Sequence, residues 1–296
     1  MSDFEHGPSG EVLNALGAPL ISDKEFALLR DLVRERVGIT LGPEKKSLLQ
    51  GRLQKRLREL GLADFHAYHD YLLSCSDQHQ ELQQFANAVT TNKTDFFREA
   101  HHFAFLAKTW LPPIVEEARR GRPKALRIWS AACSSGEEPY TIAFTLLDAL
   151  GEHARSWDLS IVATDVNTRV LEVAANGIYP MERVSTVPRA VLERHFLRGT
   201  GKNQGFCRVR ADVRSLVSFR KLNFMDEAWP WTKPFDLVFC RNALIYFDRK
   251  TQETLVRRFM QSLVPKGHLI LGHSECVHGW FADLQNLGNT VYRKTQ

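Results

Sequence analysis

Two stretches of the chain carry residues suited to holding a nucleoside: Arg127-Ile-Trp-Ser-Ala-Ala-Cys-Ser-Ser-Gly-Glu-Glu-Pro139-Tyr140 and Ile161-Val-Ala-Thr-Asp165. The first reads as a strand, a turn of small residues, and a helix that opens with acids and a proline. The second reads as a strand ending on a carboxylate. Small residues between strand and helix let ligand atoms approach backbone N–H groups. An acid at the tip of the next strand can accept from both hydroxyls of a ribose. The loop lacks the G-x-G-x-x-G spacing of pyrophosphate binders, and no G-x-x-x-x-G-K-[ST] phosphate loop occurs. Glu137 and Glu138 stand where a diphosphate would lie, and two carboxylates would repel it. A ligand with a ribose and a positive centre but no phosphates fits better. S-adenosylmethionine, with an ammonium and a sulfonium, is such a ligand. The plain alternative is an ordinary βα turn.

The elements that would position these residues form two regions. Residues 1–20 read as a flexible leader rich in Gly, Pro, Ser and Ala. Ser22-Asp-Lys-Glu25 is a capping box ahead of a stripe of Phe26, Leu29, Leu32 and Val33, with Gly38 as the stop. A second helix is predicted from Pro43 to Gly61, and two more over about 64–74 and 77–89. Their short loops predict a small four-helix domain over 21–90, then a linker and helix over 91–124. From 125 to 296 strands and helices alternate: strands 126–130, 159–165, 235–240, 268–271 and 289–293, helices 137–150, 168–176 and 249–263. Such alternation predicts a mostly parallel sheet with helices on both faces. Residues 197–223 break the rhythm and read as an inserted antiparallel β-subdomain of two short strands, 206–210 and 217–222.

Composition narrows the class. The chain has 296 residues, 44% hydrophobic and 25% charged, with a net charge of +5, an ordinary globular balance. No apolar run reaches membrane-span length, so no membrane insertion is expected. The acidic start does not resemble a secretory leader, and the five scattered cysteines lack a C-x-x-C, so a reduced, cytoplasmic protein without a metal centre is expected. His66 and His69 read as surface helix residues.

Three further patterns bear on function. The second helix carries Arg52, Lys55, Arg56 and Arg58, with Arg52, Lys55 and Arg56 at helical spacing on one face. The bland reading is a solvated face; the sharper one is a docking surface for an acidic partner. No aromatic residues interleave with these bases, which favours protein over nucleic acid. Thr90-Thr-Asn-Lys-Thr-Asp-Phe-Phe-Arg98 joins the two regions, with polar groups able to cover a cofactor cleft or with Phe96 and Phe97 merely plugging the domain interface. Arg241, Asn242 and Tyr246 leave the carboxyl end of the strand at 235–240, where open α/β sheets bind ligands, and Asn223 occupies a similar position.

Thr91-Asn-Lys-Thr-Asp-Phe-Phe-Arg-Glu99, Trp129-Ser-Ala-Ala-Cys-Ser-Ser-Gly-Glu-Glu-Pro-Tyr140, Phe239-Cys-Arg-Asn-Ala-Leu-Ile-Tyr-Phe-Asp248 and Gly272-His-Ser-Glu275 resemble the bacterial chemotaxis methyltransferase family, CheR. The resemblance runs in order from about Ser22 to the C-terminus. It implies an all-helical N-terminal domain and a Rossmann-like S-adenosylmethionine-dependent α/β domain with an inserted β-subdomain. It implies methylation of specific glutamates of chemoreceptors, with S-adenosylhomocysteine as the product. Carried over, Asn92, Thr94, Arg98, Glu137, Glu138, Asp165, Asn223, Phe224, Arg241 and Asn242 are the implied cofactor contacts. Arg98 and Tyr246 are the implied catalytic pair. Arg198, Gly199, Gly201, Gly205 and Arg208 resemble the subfamily whose β-subdomain captures a receptor C-terminal pentapeptide. Position 133 is Cys where relatives often have alanine. A monomer acting on the cytoplasmic domain of receptors is expected. The rival readings are a nucleic-acid methyltransferase, disfavoured because Arg241–Tyr246 lacks the prolines of an N-P-P-Y-like turn, and a cofactor-binding adaptor without catalysis.

Overall fold

A computed structural model describes residues 19–74 and 78–296, so Cys75 and nearly all of the expected leader lie outside the described residues. The chain divides into two compact units, one ending at Thr91 but including Tyr246–Asp248, the other comprising Asn92–Ile245 and Arg249–Gln296. No described helix is long and apolar enough to cross a membrane.

The first unit holds helices α1 (Asp23–Val37), α2 (Lys46–Leu60), α3 (Phe65–Ser74) and α4 (Gln78–Val89). The capping box forms: Glu25 N donates to Ser22 Oγ (3.2 Å) and Ser22 N to Glu25 Oε2 (2.7 Å). Gly38 ends α1 in the left-handed region at φ 79°, where a side chain would be strained. Phe26, Leu29, Leu32 and Val33 are buried, as their spacing demands. Leu49, Leu53 and Leu57 of α2 are buried, as are Phe65, Tyr68 and Leu72 of α3 and Phe85 of α4, and the Tyr68 and Phe85 rings meet edge-on at 6.2 Å between centroids.

The basic face of α2 is a correction. Arg56 turns inward to the buried Glu81, and Glu81 also accepts from the Tyr68 hydroxyl at 2.8 Å. Arg52 donates to the carbonyl of Val89 (2.5 Å) and to Thr91 Oγ1 (2.9 Å), capping the C-terminal end of α4. Four bases on one helix read as one charged surface, yet two of them satisfy groups inside the unit. Lys55 and Arg58 are exposed.

The second unit opens with α5 (His101–Phe105), a π-helical turn at Leu106–Trp110 and α6 (Leu111–Arg119). Pro112 and Pro113 lack the N–H that would close regular bonds to the preceding turn, which accounts for the widening. Then follow β1 (Ala125–Ala131), α7 (Glu137–Leu150), β2 (Asp158–Asp165), α8 (Thr168–Asn176), β3 (Ile178–Pro180), α9 (Arg189–His195), β4 (Phe196–Arg198), β5 (Phe206–Val209), α10 (Ala211–Arg214), β6 (Val217–Lys221), β7 (Phe235–Cys240), α11 (Arg249–Gln261), β8 (Leu263–Leu271), β9 (Leu284–Gly288) and β10 (Val291–Lys294). The main sheet has the order β6-β2-β1-β7-β8-β10-β9. Its first five strands are parallel, and β10 and β9 close it in antiparallel fashion. The chain winds outward through β1, β2 and β6, then returns to place β7 on the other side of β1. That reversal opens a crevice beyond the carboxyl ends of β1, β2 and β7. Phe96 is buried in the aromatic core of this unit, against Tyr179 (5.0 Å between ring centroids) and Phe196 (5.6 Å).

An antiparallel β-subdomain is present and keeps one of the two expected strands, 206–210, as its central β5, but not 217–222. Its order is β3-β5-β4, while Val217–Lys221 pairs in parallel with Ile161–Asp165 of the main sheet. An edge strand exposes alternate residues, so the alternation in 217–221 imitates a surface hairpin. The three-residue β3, ending in a proline, carries too little pattern to be read. Gly201 and Gly205 take φ of 56° and 88° in the β4–β5 connection. Arg208 pairs across the sheet with Leu197, and Arg198 with Cys207. The two arginines therefore lie on opposite faces.

Removing one partner of the Arg56–Glu81 pair strands a charge. Arg56→Ala is expected to destabilise the protein by about 3 kcal/mol, and Lys55→Ala by under about 0.5 kcal/mol. Urea unfolding followed by circular dichroism separates the two; equal small shifts would contradict the buried pair.

Candidate active site

Asp165 ends β2 at the crevice, with 5% of its surface exposed. Its two oxygens accept from Ser134 N (2.8 Å) and Asn167 N (2.9 Å). Burial pushes its carboxyl above the ordinary aspartate value, against the pull of the backbone donors at Asn167, Ser134 and Val166. The β1–α7 loop bends through left-handed backbone at Ala132 (φ 61°), Ser134 (φ 50°) and Gly136 (φ 96°). A Cβ on Gly136 would lie 2.8 Å from Ala174 Cβ, so only glycine lets α7 start this close to α8. Asn92 closes the group: its carbonyl accepts from Ser134 Oγ and its Oδ1 from Asn167 Nδ2, both at 2.9 Å.

The paired glutamates have different fates. Glu137 is fully buried, accepting from Ser135 Oγ (2.7 Å) and from Arg183. Arg183 also donates to the carbonyl of Thr94 (2.8 Å) and lies 3.6 Å from Asp95. Glu138 accepts from Ser130 Oγ (2.7 Å) and Arg241 Nη1 (3.0 Å). Burial holds the Glu138 carboxyl above its ordinary value despite Arg241 and Ser130. Both negative charges thus have arginine partners, so the expected repulsion of a diphosphate is weaker than two bare carboxylates would give. Glu137 has no surface to offer a ligand, whereas Glu138 keeps 9%.

Arg241 gathers the next set. Its buried guanidinium reaches Glu138, Glu99 Oε2 (3.2 Å) and the carbonyl of Arg98, and sits 5.5 Å from the centre of the Phe103 ring. Arg241 Nε is buried without a partner. Burial alone would raise the Glu99 carboxyl, but Arg241 and Asn242 together hold it below its ordinary value. Asn242, with left-handed backbone at φ 57°, donates its amide to Glu99 Oε1 at 3.2 Å. Arg98 itself donates to the carbonyl of Lys93 at 2.9 Å.

Residues 92–293 match the family described as CheR methyltransferase, SAM binding domain, and residues 24–90 match CheR methyltransferase, all-alpha domain. The chain belongs to the CheR methyltransferase family. It is 45% identical over 291 residues to the chemotaxis protein methyltransferase of Klebsiella aerogenes, covering 97% of this chain and 96% of that one. The Salmonella typhimurium protein of the same name is 41% identical over 98% of this chain and 97% of its own. That of Escherichia coli is 44% identical over 92% and 91%.

Not every residue carried over to this CheR chain gathers at the crevice. Asn92, Glu138, Asp165, Arg241 and Asn242 are tied there by the bonds above. Thr94 joins through Arg183. The Phe224 ring packs against Phe259 (5.5 Å) and Trp229 (6.0 Å), and Asn223 Oδ1 accepts from Met225 N at 3.0 Å. Tyr246 belongs to the helical unit, where its carbonyl accepts from Thr40 N at 2.8 Å.

Arg183 is not singled out by the sequence, and Glu99 and Glu275 stand in the quoted motifs without an assigned role. Glu275 Oε2 accepts from Gly272 N (2.6 Å) and Asn242 N (2.8 Å), and Oε1 from Ile245 N (3.3 Å). Burial raises its carboxyl, opposed by those donors. A Cβ on Gly272 would fall 2.6 Å from Asn242 Nδ2 and 2.7 Å from Glu275 Oε2, so glycine is required at this approach. The available signal was an acid just beyond a strand end, the same pattern that singled out Asp165.

Losing one charge-assisted bond of about 1.5–3 kcal/mol should loosen this loop. Glu275→Gln is expected to speed amide exchange in segments 241–245 and 272–276 by about tenfold or more, leaving α1–α4 unchanged. Mass-spectrometric hydrogen exchange measures this, and unaltered rates in both segments would mean the carboxylate does not hold the loop.

Proposed function

We propose that this CheR-family enzyme esterifies specific glutamate side chains of chemoreceptors, taking the methyl from S-adenosylmethionine and releasing S-adenosylhomocysteine. The observation that carries the cofactor half is Asp165. It is a strand-end carboxylate fixed by two backbone N–H groups, with lone pairs left for ribose hydroxyls. Neither of those bonds comes from an arginine, and the carboxylate suits a ligand that brings hydroxyls and positive charge. The relatives named chemotaxis protein methyltransferase support the substrate half.

The bound cofactor would supply an electrophilic methyl on a sulfonium. A substrate glutamate is already ionised at neutral pH, so the chain needs no general base. Its task is alignment and exclusion of water. Asn92, Glu138 and Asp165 would hold the cofactor, with Thr94, Asn223, Phe224, Arg241 and Asn242 completing or framing the site. Arg98 would orient the incoming carboxylate by a charge-assisted bond, and Tyr246 would hold its second oxygen. Holding that carboxylate too tightly would slow the step, because its charge vanishes in the transition state. The outer face of α2, with Lys55 and Arg58, would meet acidic receptor helices, and the β3-β5-β4 sheet would take a receptor tail peptide.

Incubation with methyl-labelled S-adenosylmethionine and receptor fragments tests the reading. Base-labile label released as methanol is expected; base-stable label, or none, overturns it. Asp165→Ala should lose at least about tenfold in cofactor affinity by calorimetry. The ionised form of Asp165 is the acceptor and its carboxyl is raised in the protein. Wild-type affinity should therefore fall with acidification at a higher pH than an ordinary aspartate would give, and the Asp165→Ala curve should lack that limb. Reversing the charges of Lys55 and Arg58 should cut receptor methylation, and added salt should weaken the wild type likewise, without changing cofactor affinity. Undiminished methylation by that variant would make this helix face a solvated one.

A further inference from the structure

We propose that Glu99, His101 and His102 form a binding site for a divalent transition metal of the zinc class, whose occupancy draws Glu99 away from Arg241 and inhibits methyl transfer. Donor atoms of the three residues lie within 4.8 Å of one another. His102 is the anchor. Its Nε2 lies 2.8 Å from the carbonyl oxygen of Asn289. A carbonyl only accepts, so Nε2 carries the proton and Nδ1 presents a lone pair. That Nδ1 is buried without a hydrogen-bond partner and faces Glu99 Oε2 at 3.5 Å. A lone pair set against a carboxylate is repulsive unless a cation stands between them.

At 3.5 Å from Glu99 Oε2, Nδ1 makes no hydrogen bond, so the space between the two atoms suits a cation that both can ligate. An imidazole whose other ring N–H is fixed on a backbone carbonyl is the usual arrangement of a histidine ligand. His101 is exposed, with its ring centroid 4.1 Å from that of His102, and supplies a second nitrogen from the solvent side. Two imidazoles and one carboxylate suit zinc, nickel or copper better than magnesium or calcium.

Occupancy has an effect because Glu99 Oε2 already accepts from Arg241 (3.2 Å) and from His273 N (3.1 Å). A dication there would repel the guanidinium, so metal and Arg241 compete for one oxygen. The competition sets the expected affinity in roughly the micromolar range rather than the nanomolar.

The test uses the full chain freed of metal by chelation. Zinc titrated by calorimetry should bind one-to-one, and cobalt(II) should show absorption bands of nitrogen ligation. His101→Ala should weaken both by about tenfold or more while keeping basal methyl transfer. Zinc should slow the wild type reversibly, with restoration by chelator, and should spare His101→Ala. Binding indifferent to His101→Ala overturns the site, and binding without inhibition overturns the coupling to Arg241. The inhibition arm rests on the methyl-transfer reading and the two binding arms do not, so failure of either is distinguishable.

Discussion

The buried guanidinium of Arg241 is the constraint around which the second unit's chemistry is arranged. It joins Glu138 from the start of α7, Glu99 from the linker, and the carbonyl of Arg98. Both stretches lie far from Arg241 in sequence, 103 and 143 residues away at Glu138 and Arg98. A cation removed from water is tolerated only where anions and carbonyls replace its hydration, so each partner is held in place by the same requirement. The linker is thereby fixed to the start of α7 and to the residue that follows β7 through polar bonds, and Phe96 and Phe103 nearby are buried.

The carboxylates around this cation are unequal, and the inequality follows from where each finds its partner. Glu99 sits below its ordinary value because Arg241 and Asn242 outweigh its burial. Glu138, Asp165 and Glu275 sit above theirs, because burial outweighs a neighbouring arginine in the first and backbone donors in the other two. Keeping those three ionised at neutral pH costs folding stability. A group raised in the folded state contributes most below its unfolded value and loses that contribution as pH rises through the folded one. Such a site is preorganised at the expense of the resting protein, the usual relation between binding geometry and stability.

Much of the architecture was legible because its cause is local. The Ser22 capping box, the leucine stripes of α1 and α2, and the apolar strands that feed small-residue or acidic tips all carry their pattern within a few residues. The CheR motifs added the identity of the crevice. What escaped had a distant partner. Arg52 and Arg56 looked like surface charge, because Val89 and Glu81 are not visible from α2. Val217–Lys221 looked like a hairpin strand, because an edge position in a parallel sheet leaves the same alternation. Arg183 carries no local signal of role, because its carboxylate partner lies 46 residues away, and Glu275 carries only its place beyond a strand end, its donor at Asn242 being 33 residues away.

The pairing of Arg208 with Leu197 and of Arg198 with Cys207 gives the small sheet a grammar of two. β4 is an outer strand of that sheet, so a third party's strand laid along it would show odd side chains to one arginine and even ones to the other. If the sheet takes a tail peptide as proposed, such a surface would distinguish sequences by parity as well as by composition. Shifting a tail by one residue would exchange every side chain between the faces, while shifting it by two would restore the match.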